Sequence, residues 1–413
     1  MALMKIKILI RLTFATVFTV FIVSSCTRED DKPVNSYLVS SEYVSLYTTA
    51  SVNNIIDIAS AQEPSITALK PHVSSNIMVY KITYKTKAGD KNIEASGLVA
   101  VPVTKGEYPV LSFQNGTNTL NNQAPSVNPV NSNYVLVEIL ASTGFVVVVP
   151  DYPGFGKSVD VPHPYLVAEP TVTSIVDMFR AVNELDESEL PDITIKNEYY
   201  LLGYSQGGWA TLSLHKALEQ QYSEDFNLAG SACGAGPYDI NLLFSNMINV
   251  STYPMPVYLA YIYNAYSSYK QFTNPVTDIF NDPYASRVAT LFDGTKSFDQ
   301  INAQLNTSIS ALLNPDFVSG YASSEKYASV RNAFTSNSIQ AWHTYKPLLL
   351  IHGGGDTQVN PVTTETMYNA MLQAGTSASL CSKIILPGLD HSAGIVPAML
   401  KGIDFIINPK ESK

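Results

Sequence analysis

Residues 199–209 read Tyr199-Tyr200-Leu201-Leu202-Gly203-Tyr204-Ser205-Gln206-Gly207-Gly208-Trp209. The first four residues form a short apolar run that reads as a strand. Trp209 to Leu218 reads as a helix. Between them stands Gly203-Tyr204-Ser205-Gln206-Gly207, a Gly-x-Ser-x-Gly turn in the strand–turn–helix setting that the motif requires. A serine on so tight a turn needs small residues two before and two after it, because anything larger strikes neighbouring backbone. The turn lifts Oγ above the sheet and aims the Gln206 N–H, at the start of a helix, at the same point in space. A bare Gly-x-Ser-x-Gly arises by chance; flanked in this way it predicts a nucleophilic serine at Ser205 rather than a structural turn.

Working outward, Ile77 to Thr86 alternates apolar and polar residues, Ala88-Gly89-Asp90 is a turn, and Ile93 to Val101 is a second extended run: a hairpin. Then the pattern changes. Val110–Phe113 and Phe145–Val149 are apolar runs without alternation, as in strands covered on both faces. Tyr134–Thr143, Thr171–Leu185 and Trp209–Leu218 read as helices, and Leu228–Cys233 as a strand. Alternating strands and helices predict an α/β domain with a mostly parallel sheet flanked by helices. The alternation lapses over about 238–342, which is rich in Tyr, Asn and Ser and holds helical stretches such as Leu242–Ile248 and Phe298–Leu313. It resumes with the strand Leu348–Ile351, a helix near Val362–Leu372, the strand Lys383–Leu386 and the helix Gly394–Ile407. The middle block is therefore expected to be a helical cap inserted between late strands.

A serine hydroxyl is a weak nucleophile until a base takes its proton, and the base needs a carboxylate to orient it. His391 follows the last strand and precedes the last helix. Asp356 is the only acid in the loop His352–Val359 after the preceding strand. The order Ser205, Asp356, His391 is that of an α/β-hydrolase triad. His352 is read as shaping the loop, and His215 as a packing or surface residue on the helix after Ser205. Asp390 is a neighbour of His391, and adjacent side chains rarely meet in the needed geometry. An oxyanion needs two N–H donors. Gln206 supplies one. Gln114-Asn115-Gly116-Thr117, after the strand Val110–Phe113, supplies the other, from Thr117 or else from Asn115 or Gly116. Gly154–Ser158 looks like the end of a phosphate loop, but position 151 is Asp where the motif has Gly. His352–Gly355 looks like an oxyanion motif but follows the wrong strand. No metal-ligand spacing and no dinucleotide fingerprint is present, so neither a metal nor a cofactor is expected.

The 413 residues are 46% hydrophobic and only 15% charged, with a net charge of −10. That composition excludes a chain too polar to fold, and the acidic balance argues against nucleic acid as a partner. Three cysteines are too few for a disulfide scaffold. Residues 1–25 carry Lys5, Lys7 and Arg11 and then a 14-residue uncharged run from Leu12 to Ser25, short of the ~20 residues that span a bilayer. Val23-Ser24-Ser25-Cys26 resembles the lipobox of bacterial lipoproteins. That resemblance implies a signal peptide at 1–25, lipidation of Cys26, a tether over 26–45, and a membrane as partner through the lipid chains. Thr27-Arg28-Glu29-Asp30-Asp31 resembles the surface-export signal of lipoproteins from the Bacteroides group, which implies an outer-membrane lipoprotein exposed at the cell surface; an ordinary solvated tether is the alternative. Loss of residues 1–25 with their three cations leaves a net −13. Cys233 and Cys381 lie in or beside apolar runs and read as two separate buried thiols.

From about Ile77 to the C-terminus the chain resembles the α/β-hydrolase fold, and within it the secretory-lipase and esterase branch. The likeness rests on Gln114–Thr117, Asp151-Tyr152-Pro153-Gly154-Phe155-Gly156, His163-Pro164-Tyr165, Gly203–Gly208, Gly236-Pro237-Tyr238-Asp239, Asp356 and His391. Related enzymes usually have His-Gly where this chain has Asn115-Gly116. The resemblance implies hydrolysis of a small-molecule or lipid ester through an acyl-enzyme on Ser205, with the Asp-Tyr-x-Gly block positioning rather than reacting. Tyr253, Tyr258, Tyr261, Tyr263 and Tyr266 would line an acyl or aryl pocket or pack the cap onto the domain. Two other readings stay open: a serine peptidase of the prolyl-oligopeptidase-like type, and a non-catalytic surface-binding lipoprotein.

Overall fold

The computed structural model describes residues 36–185, 189–190 and 192–408. The signal segment, Cys26 and the acidic run after it lie outside the described residues. Nine strands form one sheet: β1 Leu38–Tyr47, β2 Ile77–Ala88, β3 Lys91–Pro102, β4 Gly106–Gln114, β5 Val146–Pro150, β6 Ile193–Tyr204, β7 Leu228–Gly234, β8 Leu348–Gly353 and β9 Cys381–Leu386. Their spatial order is β1-β2-β3-β5-β4-β6-β7-β8-β9. β1, β2 and β3 pair antiparallel, β3 pairs antiparallel with β5, and every pairing from β5 to β9 is parallel.

The hairpin forms as its pattern requires. Ala88 faces Lys91 across the two-residue turn Gly89-Asp90, and Gly89 takes φ 58°, a left-handed value that a glycine adopts at no steric cost. The valine run of β5 explains the doubly covered sheet. Val146 and Val148 belong to the core on one face, Val147 and Val149 to the core on the other. One face is covered by α3 (Ala168–Val182) and α4 (Gln206–Gln220), the opposite face by α1 (Thr49–Ser60), the 3₁₀ turn Pro64–His72, α2 (Ser132–Glu138) and the C-terminal helix Ile395–Ile407. Fully burying one such side chain contributes roughly 1.5–3 kcal/mol, so this strand is held in place mainly by burial on both faces.

Part of the stretch read as tether behaves otherwise: Leu38–Tyr47 is an edge strand on β2. Its alternation is concealed by register shifts between Leu38 and Ser40 and between Tyr43 and Ser45, each of which resets the inward and outward faces.

The segment between β7 and β8 is the helical cap: α5 Ile240–Ile248, α6 Val257–Ser268, α7 Val276–Ile279, α8 Tyr284–Leu291, α9 Phe298–Asn302, α10 Ile309–Leu312, α11 Pro315–Gly320 and α12 Ala328–Asn337. The expected single helix over Phe298–Leu313 is split into α9 and α10. Asn306 Oδ1 accepts from the Ser308 N–H at 2.9 Å, a local turn that competes with helix. α13 (Val362–Gln373) and α14 (Ile395–Ile407) complete the domain. Trp209 of α4 is fully buried and donates its indole N–H to the Asn337 carbonyl at 3.1 Å, which fastens the cap directly to the helix that starts at Ser205.

Candidate active site

Ser205 occupies the turn between β6 and α4 with φ 58° and ψ −123°, a conformation costly for any residue with a side chain. Its neighbours show why the flanking positions are glycine. A Cβ on Gly203 would lie 2.4 Å from the Gly207 carbonyl oxygen, and one on Gly207 would lie 2.0 Å from the Gln114 oxygen. Two glycines at 207 and 208 weaken the first turn of α4 by about 1 kcal/mol each; the close approach of β4 leaves no alternative at 207. The Ser205 N–H donates to the Gly234 carbonyl at 2.8 Å and pins the turn to the end of β7.

Strand register brings the remaining residues to the same edge. Gln114 is level with Gly203, so the loop after β4 starts beside the serine turn. Gly353 is level with Leu386, so the loops after β8 and β9 emerge side by side. These are the C-terminal ends of parallel strands, where open α/β sheets place their ligands. Here Ser205 Oγ lies 2.8 Å from His391 Nε2, and His391 Nδ1 lies 2.6 Å from Asp356 Oδ2. Since the carboxylate can only accept, Nδ1 carries the imidazole hydrogen and Nε2 is the acceptor facing Ser205.

Asp356 is buried, and burial by itself would raise its pKa. Hydrogen bonds from His352 and His391 and from the Val359 N–H outweigh that and hold the carboxyl well below the usual range. Its Oδ1 also accepts from the Gln358 N–H at 2.9 Å. His352 shapes the loop: one ring nitrogen is 2.7 Å from Thr364 Oγ1, the other 2.9 Å from the Val359 carbonyl and 3.3 Å from Asp356 Oδ2. Asp390 is used elsewhere, capping the Ser392 and Ala393 N–H groups at 3.0 and 2.8 Å. His215 is fully buried between Ser231 and Thr344, a packing position.

The serine opens onto a cavity of about 490 Å³. Asn115, Gly116 and Thr117 line it near Ser205, so the three expected oxyanion-loop residues are at the site. Asn115 has its side chain committed elsewhere, with Nδ2 donating to the Pro150 carbonyl at 2.6 Å. The far part of the cavity is apolar and lies on the α14 face of the sheet, among Ile66, Leu69, Leu136, Val137, Leu140, Ile395, Val396, Met399, Leu400 and Ile403. Among the described residues no Asp, Glu, Lys or Arg lines it. Of the five cap tyrosines only Tyr258 reaches this cavity. Tyr261 instead stacks on Tyr165 and Phe292 at 4.5 and 4.3 Å, and the Tyr266 hydroxyl donates to the Leu166 carbonyl at 2.8 Å; both pack the cap onto the domain.

The Asp151–Gly156 block is tied down by hydrogen bonds and close backbone packing. Asp151 is buried and accepts from Ser96 Oγ at 2.6 Å and from the Ser126 N–H at 2.8 Å; burial pushes its pKa up. Gly154 takes φ 93° hard against the backbone of His163, where a Cβ would lie 2.6 Å away. His163 thereby reaches Gln206, with Nε2 2.8 Å from the Gln206 amide nitrogen. Sequence reading missed that contact, as it missed the Tyr204 hydroxyl on the His391 carbonyl at 2.8 Å. The residue His163 was visible in the His-Pro-Tyr run, but its partner is 43 positions away. Cys233 and Cys381 are free buried thiols. No helix among the described residues is long and apolar enough to cross a membrane.

The secretory lipase family model matches residues 122–378, more than half of the chain. No curated protein matches it. Among solved structures, a protein of Legionella pneumophila described as a hydrolase is 26% identical, covering 91% of this chain and 100% of its own, with a TM-score of 0.79. The rice cell wall degrading esterase LipA of Xanthomonas oryzae is 25% identical, covering 91% of this chain and 97% of its own, with a TM-score of 0.75. Candida antarctica lipase A in its closed state is 14% identical over 90% of this chain and 81% of its own, TM-score 0.65, a likeness of fold alone. Sheet order, cap position and these neighbours identify an α/β-hydrolase fold. The chain belongs to the secretory lipase family and is a hydrolase of the lipase and esterase kind.

Proposed function

We propose that the protein is a serine carboxylic-ester hydrolase working through an acyl-enzyme. The observation that carries this reading is the unbroken line Ser205 Oγ, His391 Nε2 at 2.8 Å, His391 Nδ1, Asp356 Oδ2 at 2.6 Å, at the mouth of a largely apolar cavity. Ser205 Oγ attacks the ester carbonyl while His391 takes its proton. Asp356 keeps the tautomer that leaves Nε2 free and stabilises the imidazolium. The Gln206 and Thr117 N–H groups receive the oxyanion. His391 protonates the leaving alcohol, and water then releases the acid by the same steps in reverse order.

The cavity supports an uncharged substrate with an apolar acyl chain, because a charged group there would meet no counter-ion among the lining residues. Hydrolysis of acetyl, longer acyl and feruloyl esters, and of matching amides, by wild type and Ser205→Ala tests the reading. Ester turnover lost in the variant is expected; full retention, or an amide preference in the wild type, would overturn it. We further propose a lipoprotein anchored through Cys26. Wild type is expected to partition with membranes and Cys26→Ala to be soluble; equal partitioning of both would sink that idea.

A further inference from the structure

Gln206 follows Ser205, and its side chain is almost wholly buried. The orientation of its amide follows from two contacts. His163 Nδ1 lies 2.9 Å from the Pro153 carbonyl oxygen, which can only accept, so Nδ1 carries the hydrogen. Burial pushes the His163 pKa down to about 4, so the ring is neutral near pH 7 and its Nε2 is an acceptor. Gln206 Nε2, at 2.8 Å, therefore donates to it. The amide is thereby fixed with Oε1 on the other branch, buried and with no hydrogen-bond partner among the described residues. An orphaned acceptor of this kind is destabilising and calls for a ligand.

A second, smaller cavity lies beside the same serine. Its volume is about 20 Å³, which about one water fills. Ser205, Gln206 and His391 line it, and Pro237 and Met247 wall it with apolar surface. It is too small for the acyl chain, for which the 490 Å³ cavity on the other face is available.

We propose that this small cavity seats the water that releases the acyl group, and that Gln206 Oε1 selects water over alcohols as the acyl acceptor. The proposal rests on the serine acyl-enzyme reading above. Water has two hydrogens. As its oxygen bonds to the acyl carbon, one hydrogen passes as a proton to His391 Nε2. The other stays on the oxygen and donates to Gln206 Oε1. The tetrahedral intermediate collapses, the bond from the acyl carbon to Ser205 Oγ breaks, and His391 returns its proton to Oγ. The free acid leaves. A monohydric alcohol has one hydroxyl hydrogen, which His391 takes. Oε1 is then left unpaired, and the alkyl group competes for a space of one water. His163 is a positioning residue here, acting only through the Gln206 amide.

The test is the partition of the acyl-enzyme between water and added methanol, read as free acid against methyl ester from a nitrophenyl ester. The pre-steady-state burst of nitrophenol is recorded alongside. Gln206→Met removes Oε1 but keeps the backbone N–H that faces the oxyanion, and the partition between acid and methyl ester does not depend on how fast the variant acylates. Its kcat falls about tenfold, a burst grows, and the methyl-ester-to-acid ratio rises about tenfold. Gln206→Glu keeps an acceptor and is expected to hold the partition near that of the wild type. His163→Phe frees the amide to rotate and shifts the ratio in the same direction by less; it also serves if Gln206→Met does not fold. Unchanged ratios in the folded variants, with Ser205 still labelled by a fluorophosphonate probe, would overturn this proposal alone. A wild type that the probe does not label at Ser205 would overturn the serine reading and this proposal with it.

Discussion

The hydroxyl of Tyr204 donates to the backbone carbonyl of His391 at 2.8 Å, and the two rings lie 5.3 Å apart. The residue before Ser205 therefore holds the loop that carries the facing imidazole. A net hydrogen bond of this kind contributes about 0.5–1.5 kcal/mol. Tyr204→Phe is expected to lower kcat on a nitrophenyl ester by about three- to tenfold with KM nearly unchanged, the loss being one of imidazole placement rather than of substrate binding.

Asp356 holds the imidazole tautomer. Asp356→Asn presents an amide to His391 Nδ1 and permits the wrong tautomer. Steady-state kinetics should show kcat lowered by about 10³- to 10⁴-fold with the fold intact by circular dichroism. Because the Asp356 pKa is depressed in the folded chain, the stability it contributes is present above the unfolded carboxyl value and is lost as pH falls below it. Acid unfolding of the variant should accordingly begin less steeply than that of the wild type.

Glu138 is 1% exposed, and the neighbouring Tyr47 hydroxyl offsets only part of the cost of its burial. Burial pushes its pKa up to about 8. Its stability contribution is full below the unfolded value of about 4.5 and is lost as pH rises towards 8. Glu138→Gln removes that ionisation. Thermal melts should show the variant gaining a few degrees over wild type at pH 8 and little at pH 5.

Gly207→Ala puts a methyl 2.0 Å from the Gln114 carbonyl. Either β4 or the serine turn must move. We expect activity lower by more than 100-fold and a melting temperature lower by several degrees, since strain at this turn has no flexible neighbour to absorb it.

Met399 and Leu140 line the apolar end of the large cavity. Replacing either with Trp fills space that a long acyl chain would occupy. Relative kcat/KM across an acyl series should shift from long towards short chains by about tenfold or more. A chain-length profile identical to wild type would place the acyl group elsewhere.

The site was legible because its chemistry is local in sequence. Gly203–Gly208 carries its own steric requirement, and Asp356 and His391 stand at strand ends that the apolar runs mark out. Those runs also predicted the parallel sheet and the cap. What was hidden has a physical cause in each case. The bulges in Leu38–Tyr47 erase the alternation by which a strand is recognised. The tyrosines of the cap look equally suited to a pocket and to packing, and only their contacts separate Tyr258 from Tyr261 and Tyr266.

By itself, then, the amino-acid sequence determined the Gly-x-Ser-x-Gly turn, the order of Ser205, Asp356 and His391 and the sheet on which they sit, because steric exclusion at a turn and burial of apolar runs act between near neighbours. Tertiary structure alone decided where the large cavity lies, that His163 grips Gln206, and that Tyr204 holds His391. Those depend on strand register and on side chains brought together from 43 and 187 positions apart, distances over which no local periodicity survives.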